Sequence, residues 1–280
     1  MKSSYYKYFA ALLLFGSNGI VASNINLPSY EIVLLRLLLG SLFLITVFTV
    51  SRQRFTFYRN KHTCLYLFIS ASAMGASWML LYEAYQQVGI SIASLAYYCG
   101  PVIVMILSPF LFRETLTWPK IAGFLTVLAG MCLVNLQALD EGKTIWGLFC
   151  GLMSAFMYAL MVTANKKAKP ESGLENSLLQ LVIGSFIVVA FVSMQKNFVL
   201  SLTTIDWIPV LVLGLLNTGI GCYLYFSSIT DLPVQTVAIC GYLEPLSAVV
   251  FSVLFLHEVL LPLQMLGTVL IPVSYTHLRA

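Results

Sequence analysis

The sequence predicts an all-α integral membrane protein with ten transmembrane helices, arranged as two inverted repeats of five. Three observations support this fold class. Of 280 residues, 59% are hydrophobic and only 9% are charged, whereas a soluble domain carries about 25% charged residues. The charged residues lie in short clusters between long apolar stretches. Finally, two segments of the chain are similar to each other.

The apolar stretches give the positions of the helices, because about 20 apolar residues are needed to cross roughly 30 Å of hydrocarbon. In chain order, the predicted spans are residues 6–22, 32–50, 65–82, 90–112, 118–137, 145–163, 178–193, 208–227, 234–256 and 260–273. The connections between these spans are short. We therefore expect no separate soluble domain, such as an ATPase motor.

The tenth span differs from the other nine. It holds about 14 apolar residues, which at 1.5 Å per residue extend about 21 Å, less than the thickness of the hydrocarbon core. We therefore expect a truncated last helix, followed by a non-native tail at residues 274–280. A short, tilted helix that thins the bilayer locally is the alternative interpretation.

The basic residues indicate how the chain is oriented in the membrane. With the N-terminus in the cytoplasm, the inside segments hold Lys2, Lys7, Arg52, Arg54, Arg59, Lys61, Arg113, Lys120, Lys166, Lys167, Lys169 and Arg279, whereas the outside segments hold only Lys143 and Lys196. Such an excess of lysine and arginine is typical of cytoplasmic loops. The sequence thus predicts a plasma-membrane or inner-membrane protein with both termini in the cytoplasm.

An internal repeat appears when the chain is shifted by 144 residues. The identical pairs are Tyr98 and Tyr242, Pro101 and Pro245, Ser108 and Ser252, Glu114 and Glu258, Leu116 and Leu260, and Gly123 and Gly267. Because each repeat has an odd number of spans, the second one must enter the membrane upside down, as in many secondary transporters. The predicted domains are therefore the five-helix repeats 1–140 and 141–273.

The ninth span, with GYLEPL at residues 241–246 and LHE at 256–258, resembles the signature helix of the EamA-type transporters, a family of the drug/metabolite transporter superfamily. The weaker copy, from Gly-Pro at 100–101 to Arg-Glu at 113–114, is similar to the same pattern, and so is Arg36 early in span 2. The resemblance implies a ten-span carrier that exports or exchanges amino acids or other metabolites without ATP. It also implies a cavity between the two halves.

Glu244 is the strongest candidate for a functional residue, because it lies near the middle of span 9. An ionisable group at that depth is costly unless it faces a cavity or a partner. Since desolvation favours the neutral form of a carboxyl group, Glu244 could also couple transport to protons. A structural carboxyl group, hydrogen-bonded between helices, is the alternative. Pro101 and Pro245 are predicted helix breaks that expose carbonyl groups, with a simple kink as the alternative.

Three further charged residues are candidates for gates or interface charges. Arg36 lies about one turn inside span 2, where an anion clamp or gate competes with snorkelling or pairing with Glu31. Glu114 and Glu258 end spans 4 and 9 at opposite faces. Their equivalence in the repeat predicts matched roles at two gates, although a solvated helix end would explain each of them separately.

Aromatic and amide side chains at membrane depth complete the predicted site. Trp78 lies inside span 3, away from the interfacial positions that are usual for tryptophan. With Tyr82 and the gate candidate Glu83 on the same helix, it could form one wall of a pocket. The other candidates are Tyr98, Tyr158, Tyr223, Tyr242, Asn18 and Asn217. The tyrosines could instead pack against lipid or other helices without contacting a substrate. Amide side chains inside the membrane prefer a hydrogen-bonding partner or a solute.

The sequence therefore predicts a secondary-active transporter that exports or exchanges a small metabolite, such as an amino acid, by alternating access. A cationic drug exporter is the main alternative, and a channel or a membrane-embedded enzyme is a weaker one, since no catalytic motif is found. The expected partners are the small-molecule substrate, the lipid bilayer and protons as a candidate coupling ion. We expect no cofactor, metal or nucleic acid.

Overall fold

The computed structural model describes residues 2–88, 90–118, 121–122, 125–126, 129, 145–194 and 207–256, and these residues are all-helical apart from their connections. The predicted all-α class is thus confirmed. Most of predicted span 5, all of span 10, Glu258 and the segment 274–280 lie outside the described residues. The count of ten spans therefore stays a prediction.

The first half contains α1 (Lys2–Gly16), α2 (Asn18–Ser23), α3 (Ser29–Val50), α4 (Lys61–Val88), α5 (Ile90–Tyr97) and α6 (Cys99–Phe112), with a 3-10 turn at Phe57–Arg59. The second half contains α7 (Ile145–Ala168), α8 (Gly173–Met194), α9 (Trp207–Leu211), a π-helix (Val212–Ile220), α10 (Gly221–Ile229), α11 (Val234–Cys240) and α12 (Leu243–Leu256).

Seven helical stretches in the described part of the chain are long and apolar enough to cross a membrane. They are Tyr30–Val50, Lys61–Val88, Ile92–Phe112, Ile145–Ala168, Gly173–Met194, Trp207–Ile229 and Val234–Phe255. Each of them overlaps a span that the hydropathy predicts. The protein is therefore a multi-pass integral membrane protein.

Two helices of the first half have counterparts of equal length in the second half. Helices α3 and α8 are both 22 residues long, and α6 and α12 are both 14 residues long. In each pair, the second helix begins 144 residues after the first, which is the offset of the sequence repeat. The bounds of these two helix pairs thus agree with the offset of the sequence repeat.

Three spans that the hydropathy predicts as continuous are interrupted. The interruptions lie at Ser17, at Tyr98 and at residues 241–242. Pro101 and Pro245 follow the last two interruptions, and because proline has no backbone N–H, neither can bond the carbonyl group four residues earlier. The two related interruptions are in contact, since the Tyr242 hydroxyl donates to the carbonyl oxygen of Tyr98 at 2.7 Å.

Helix α4 packs closely against α7 and α8 and forms the core of the bundle. Ser77 and Ser154 each donate a hydroxyl to the other's carbonyl oxygen, at 2.9 and 2.7 Å. A Cβ atom at Gly75 would lie only 2.8 Å from the carbonyl oxygen of Gly184, so glycine is needed for this close approach. These contacts join helices of both halves and fix the walls between which a cavity lies.

A buried amide network extends this core. The amides of Asn165 on α7 and Asn176 on α8 exchange hydrogen bonds of 2.9 and 3.1 Å. Gln180 donates to Asn176 at 3.4 Å and accepts from the Ser70 hydroxyl at 3.2 Å. Since unsatisfied polar groups are costly inside a membrane, the network stabilises one arrangement of α4, α7 and α8.

Candidate functional site

A cavity of about 630 Å³ lies between the two halves. Helices α1 to α5, the residue between α5 and α6, and helices α7, α10 and α12 contribute its lining. Its volume is within the range of about 300–1,000 Å³ that is usual for small-molecule sites. Among the described residues, Arg36 and Glu244 are the charged side chains in the lining. The cavity therefore contains one positive and one negative group in a largely apolar surround.

Glu244 lies in the first turn of α12, directly after the interruption at residues 241–242. Its backbone N–H donates to the carbonyl oxygen of Gly241 at 3.2 Å. Within the described part of the chain, no hydrogen bond reaches its carboxylate, and Arg36 is the charged residue that acts on it electrostatically. The carboxylate is therefore available to a ligand in the cavity.

Helix α1 holds the backbone of Glu244 in place. A Cβ atom at Gly16 would lie 2.9 Å from the carbonyl oxygen of Glu244, closer than real Cβ atoms approach. The absence of a side chain at Gly16 thus lets α1 pack directly against the first turn of α12. The position of the carboxylate depends on this contact between the two halves.

Arg36 lies on α3 with only 5% of its surface exposed. Its Nε atom donates to the hydroxyl of Thr218 at 2.9 Å, and its guanidinium carbon lies 4.5 Å from the ring centroid of Trp78. Such stacking on an indole is a favourable cation–π interaction. The terminal nitrogens of Arg36 make no hydrogen bond to the residues that the structure describes, so they too are available to a ligand.

The π-helix positions both Arg36 and the interruption of the first span. The Thr218 hydroxyl donates to the Leu213 carbonyl at 2.8 Å while it accepts from Arg36. The side-chain amide of Asn217 donates to the carbonyl oxygen of Leu14 at 2.9 Å and to Oδ1 of Asn18 at 3.0 Å. π-Helical turns are rare and frequently occur at functional sites. Sequence reasoning did not identify Thr218, and no local pattern marks it.

Aromatic rings form a large part of the remaining wall. Four predicted residues, Trp78, Tyr82, Tyr98 and Tyr158, lie in the lining, together with the predicted amide Asn18. Three tyrosines that the sequence analysis omitted also contribute: Tyr85, Tyr97 and Tyr225. The i,i+3 spacing of Tyr82 and Tyr85 would have indicated that they share a helix face. The position of Tyr225 had no such signal.

Other predicted residues lie behind the wall. Tyr242 is fully buried and supports the backbone of Tyr98 with its hydroxyl group. Asn217 is buried and bonds the interrupted first span, and Pro101 and Pro245 are buried outside the lining. These four residues therefore support the cavity from outside, whatever part they take in transport.

Two further predicted residues lie away from the cavity. The ring of Tyr223 is 5.9 Å from the Lys7 ammonium group. Glu83 accepts from the Tyr30 hydroxyl and from the indole nitrogen of Trp146 at 3.3 Å. Glu83 thereby joins α3, α4 and α7 near the end of the bundle opposite to the N-terminus.

Glu114 lies just beyond α6, at the end of the bundle that holds the N-terminus. Its carboxylate accepts the backbone N–H groups of Val234 at 2.8 Å and Gln235 at 3.0 Å, which is a favourable place for a negative charge at the start of α11. From the other side, the Lys166 ammonium group donates to the carbonyls of Thr230 and Leu232, both at 2.5 Å. The turn between α10 and α11 is thus held by both halves. Glu258, the counterpart of Glu114, lies outside the described residues.

Known proteins similar to this chain are transporters. The model of the EamA-like transporter family matches residues 3–136 and again residues 145–277. The uncharacterized transporter YxxF of Bacillus subtilis (strain 168) is 27% identical over 256 residues, which span 89% of this chain and 80% of YxxF. The threonine/homoserine exporter RhtA of Escherichia coli (strain K12) is 27% identical over 234 residues, or 83% of this chain and 76% of RhtA.

A solved crystal structure has the same fold. It superposes with a TM-score of 0.83 and covers 98% of this chain and 96% of its own, at 16% sequence identity. At that identity the likeness concerns the fold alone. The agreement over nearly the whole length shows that the two chains share one overall fold.

Proposed function

The chain belongs to the EamA-like transporter family, and from this premise we propose that it is a secondary-active carrier for a zwitterionic metabolite such as an amino acid. One observation carries the proposal. Arg36 and Glu244 line the same cavity, and no described side chain makes a hydrogen bond to the terminal nitrogens of Arg36 or to the carboxylate of Glu244. In this proposal the substrate supplies the two missing partners.

The chemistry of the two groups sets the orientation of the substrate. A guanidinium group binds a carboxylate through two parallel N–H donors, and the terminal nitrogens of Arg36 have these donors free within the described part of the chain. The substrate carboxylate is thus assigned to Arg36 and the substrate ammonium group to Glu244. The name of RhtA, a threonine/homoserine exporter, agrees with an amino acid as cargo and supports export as the direction.

A cationic drug is the second candidate, because the rings around Glu244 resemble the aromatic surround that favours ammonium groups. Tyr97, Tyr98 and Tyr158 all interact electrostatically with Glu244. However, a substrate with only a positive charge would leave Arg36 buried without a counter-charge, which is costly in a membrane. The zwitterion is therefore the better fit.

Alternating access by two inverted five-helix repeats, 1–140 and 141–273, is the proposed mechanism. The equal bounds of the repeated helices and the double match of the family model support it. In this mechanism the end of the bundle that carries most of the basic residues and both termini faces the cytoplasm. The contacts of Glu114 close the cavity at that end. The cavity lining extends to Ser23 and Leu27 near the other end, which supports an outward-facing arrangement. Glu258 is the proposed counterpart gate, and Glu244 the site of proton coupling.

The test is exchange of radiolabelled amino acids in proteoliposomes, with wild type compared with Arg36→Gln and Glu244→Gln. We expect saturable exchange in wild type, stimulated by an imposed pH gradient. Because each variant removes one charged hydrogen-bonding partner, the apparent affinity should fall about tenfold to a hundredfold. Glu171→Gln is the control, since this exposed carboxylate lies between α7 and α8, outside the cavity lining, and its removal should leave the affinity unchanged.

The outcomes separate the parts of the proposal. Undiminished flux and pH response in Glu244→Gln would remove Glu244 from binding and coupling but leave the carrier intact. Exchange of a monovalent organic cation, improved in Arg36→Gln, would favour the drug exporter. No exchange of any amino acid by protein that elutes as a single folded species would overturn the amino-acid assignment.

A further inference from the structure

Aromatic rings line the cavity together with the two charged groups, and these rings bear on the side chain of the substrate. We propose that the carrier selects amino acids with large apolar or aromatic side chains, held between Tyr82 and Tyr85 on one wall and Tyr97 and Tyr158 on another. This inference rests on the proposed function, because it assumes that Arg36 and Glu244 bind the two charges of the substrate.

The first step concerns which rings are free for a side chain. Trp78 is covered by the guanidinium group of Arg36, at 4.5 Å, so it belongs to the charged part of the site. Two edge-to-face pairs lie among the other lining rings. Tyr82 and Tyr85 on α4 have centroids 5.2 Å apart, and Tyr97 on α5 and Tyr158 on α7 have centroids 5.5 Å apart.

The second step concerns the rigidity of these walls. A Cβ atom at Gly100 would lie 2.7 Å from the ring of Tyr158, so this ring rests directly on the backbone of α6. The hydroxyl group of Tyr158 is in turn 3.3 Å from that of Tyr225. Contacts on the face and at the tip of the ring therefore hold it before a ligand arrives. Such pre-organisation reduces the entropy that binding loses.

The third step compares possible side chains. A side chain as small as that of threonine fills little of the cavity while its charged groups occupy Arg36 and Glu244. It would leave much of a cavity of about 630 Å³ filled only with water. A phenyl, indole or branched aliphatic group would displace that water and pack edge-to-face against the rings, which is a favourable geometry for aromatic groups. The aromatic surface thus favours a substrate with a large apolar side chain over one with a small polar side chain.

The experiment is competition in the proteoliposome exchange assay, with phenylalanine, leucine, threonine and phenethylamine as competitors. We expect phenylalanine and leucine to reach half-inhibition at concentrations about tenfold or more below threonine, the discrimination typical of an apolar pocket. Phenethylamine has the ring and the ammonium group but no carboxylate, and it should compete poorly because Arg36 has no partner.

A pair of variants assigns the effect to the tyrosine wall. Tyr82→Leu removes a lining ring. We expect this variant to weaken the inhibition by phenylalanine severalfold and to leave the inhibition by threonine unchanged. Tyr223→Leu makes the same chemical change at a half-buried ring outside the cavity, and the inhibition by both competitors should stay unchanged. Tyr85→Leu tests the same wall if Tyr82→Leu does not fold, as judged by size-exclusion elution.

The possible results are distinct from those for the proposed function. Equal inhibition by threonine and phenylalanine would overturn the side-chain inference and leave the amino-acid carrier in place. Equal inhibition by phenethylamine and phenylalanine would contradict both, since the carboxylate would then be irrelevant. Loss of phenylalanine preference in Tyr223→Leu but not in Tyr82→Leu would place the selective surface elsewhere.

Discussion

The two halves of the chain carry different side chains at equivalent positions of two pairs of helices that have equal lengths. On α3, Arg36 faces the cavity, stacked on Trp78, whereas the equivalent residue of α8, 144 positions later, is Gln180. On α12, Glu244 faces the cavity, whereas the equivalent residue of α6 is Gly100. Each half thus contributes one charge, and its copy in the other half is neutral.

The neutral copies have structural roles that the charged residues do not have. Gln180 is fully buried and bonds Ser70 and Asn176. Gly100 lets the ring of Tyr158 lie against the backbone. The comparison teaches that these two helix pairs agree in length and in the interruptions before Pro101 and Pro245, whereas their charged side chains differ. The equivalent positions, Gln180 and Gly100, also lie outside the cavity lining.

The strongest test of this comparison makes the two halves alike at the arginine position. In Gln180→Arg, a positive charge enters a buried amide network with no counter-charge, which costs several kcal/mol. We expect the yield of monodisperse protein after detergent extraction to fall close to zero. The control is Gln180→Met, which has similar volume and no charge and leaves Ser70 bonded to the Met161 carbonyl. A stable Gln180→Arg variant would show that the two positions are interchangeable.

A smaller effect is expected where the second half carries Glu244 and the first carries Gly100. In Gly100→Ala, the new methyl group would overlap the Tyr158 ring, and such overpacking costs about 1–3 kcal/mol. The melting temperature of the purified protein should fall by several degrees, with weaker binding of substrates that contact Tyr158. Gly19→Ala is the control, since nothing lies within 4 Å of its added Cβ atom. Equal melting temperatures for both variants would mean that the close packing at Gly100 is unimportant.

The smallest effect concerns a contact that only the charged copy has. Thr218 bonds Arg36, whereas the equivalent residue in the first half is Met74. In Thr218→Val, the guanidinium group loses one hydrogen bond, so substrate affinity should fall about twofold to tenfold, with the maximal exchange rate unchanged.

Two further variants show whether Thr218 acts through Arg36. Thr218→Ser keeps the hydroxyl group and should restore the affinity. Thr46→Val, at an exposed threonine bonded only within its own helix, should have no effect. A change in maximal rate without a change in affinity would argue against a positioning role for Thr218.

Much of the fold could be predicted because hydrophobicity acts locally along the chain. Each of the seven spans in the described residues coincides with an apolar stretch, since a bilayer excludes charged residues from any segment of that length. Gly173–Met194 begins five residues before its predicted span, and Lys61–Val88 extends four residues before and six residues after its own, because polar residues continue a helix beyond the hydrocarbon. The helix interruptions were only partly predicted: Pro101 and Pro245 indicate two, but no proline marks the one at Ser17.

The sequence by itself determined the membrane class, the similarity between two segments of the chain, the family and the choice of Glu244 as a candidate, because composition, spacing and the cost of a charge in hydrocarbon are readable along one chain. Only the tertiary structure decided that Arg36 stacks on Trp78, that Thr218, 182 residues away, bonds it, and that Tyr242 supports the cavity wall from behind. These contacts join residues from distant helices. Which faces of those helices meet is decided by close packing at residues such as Gly16 and Gly75, whose neighbours the linear sequence does not specify.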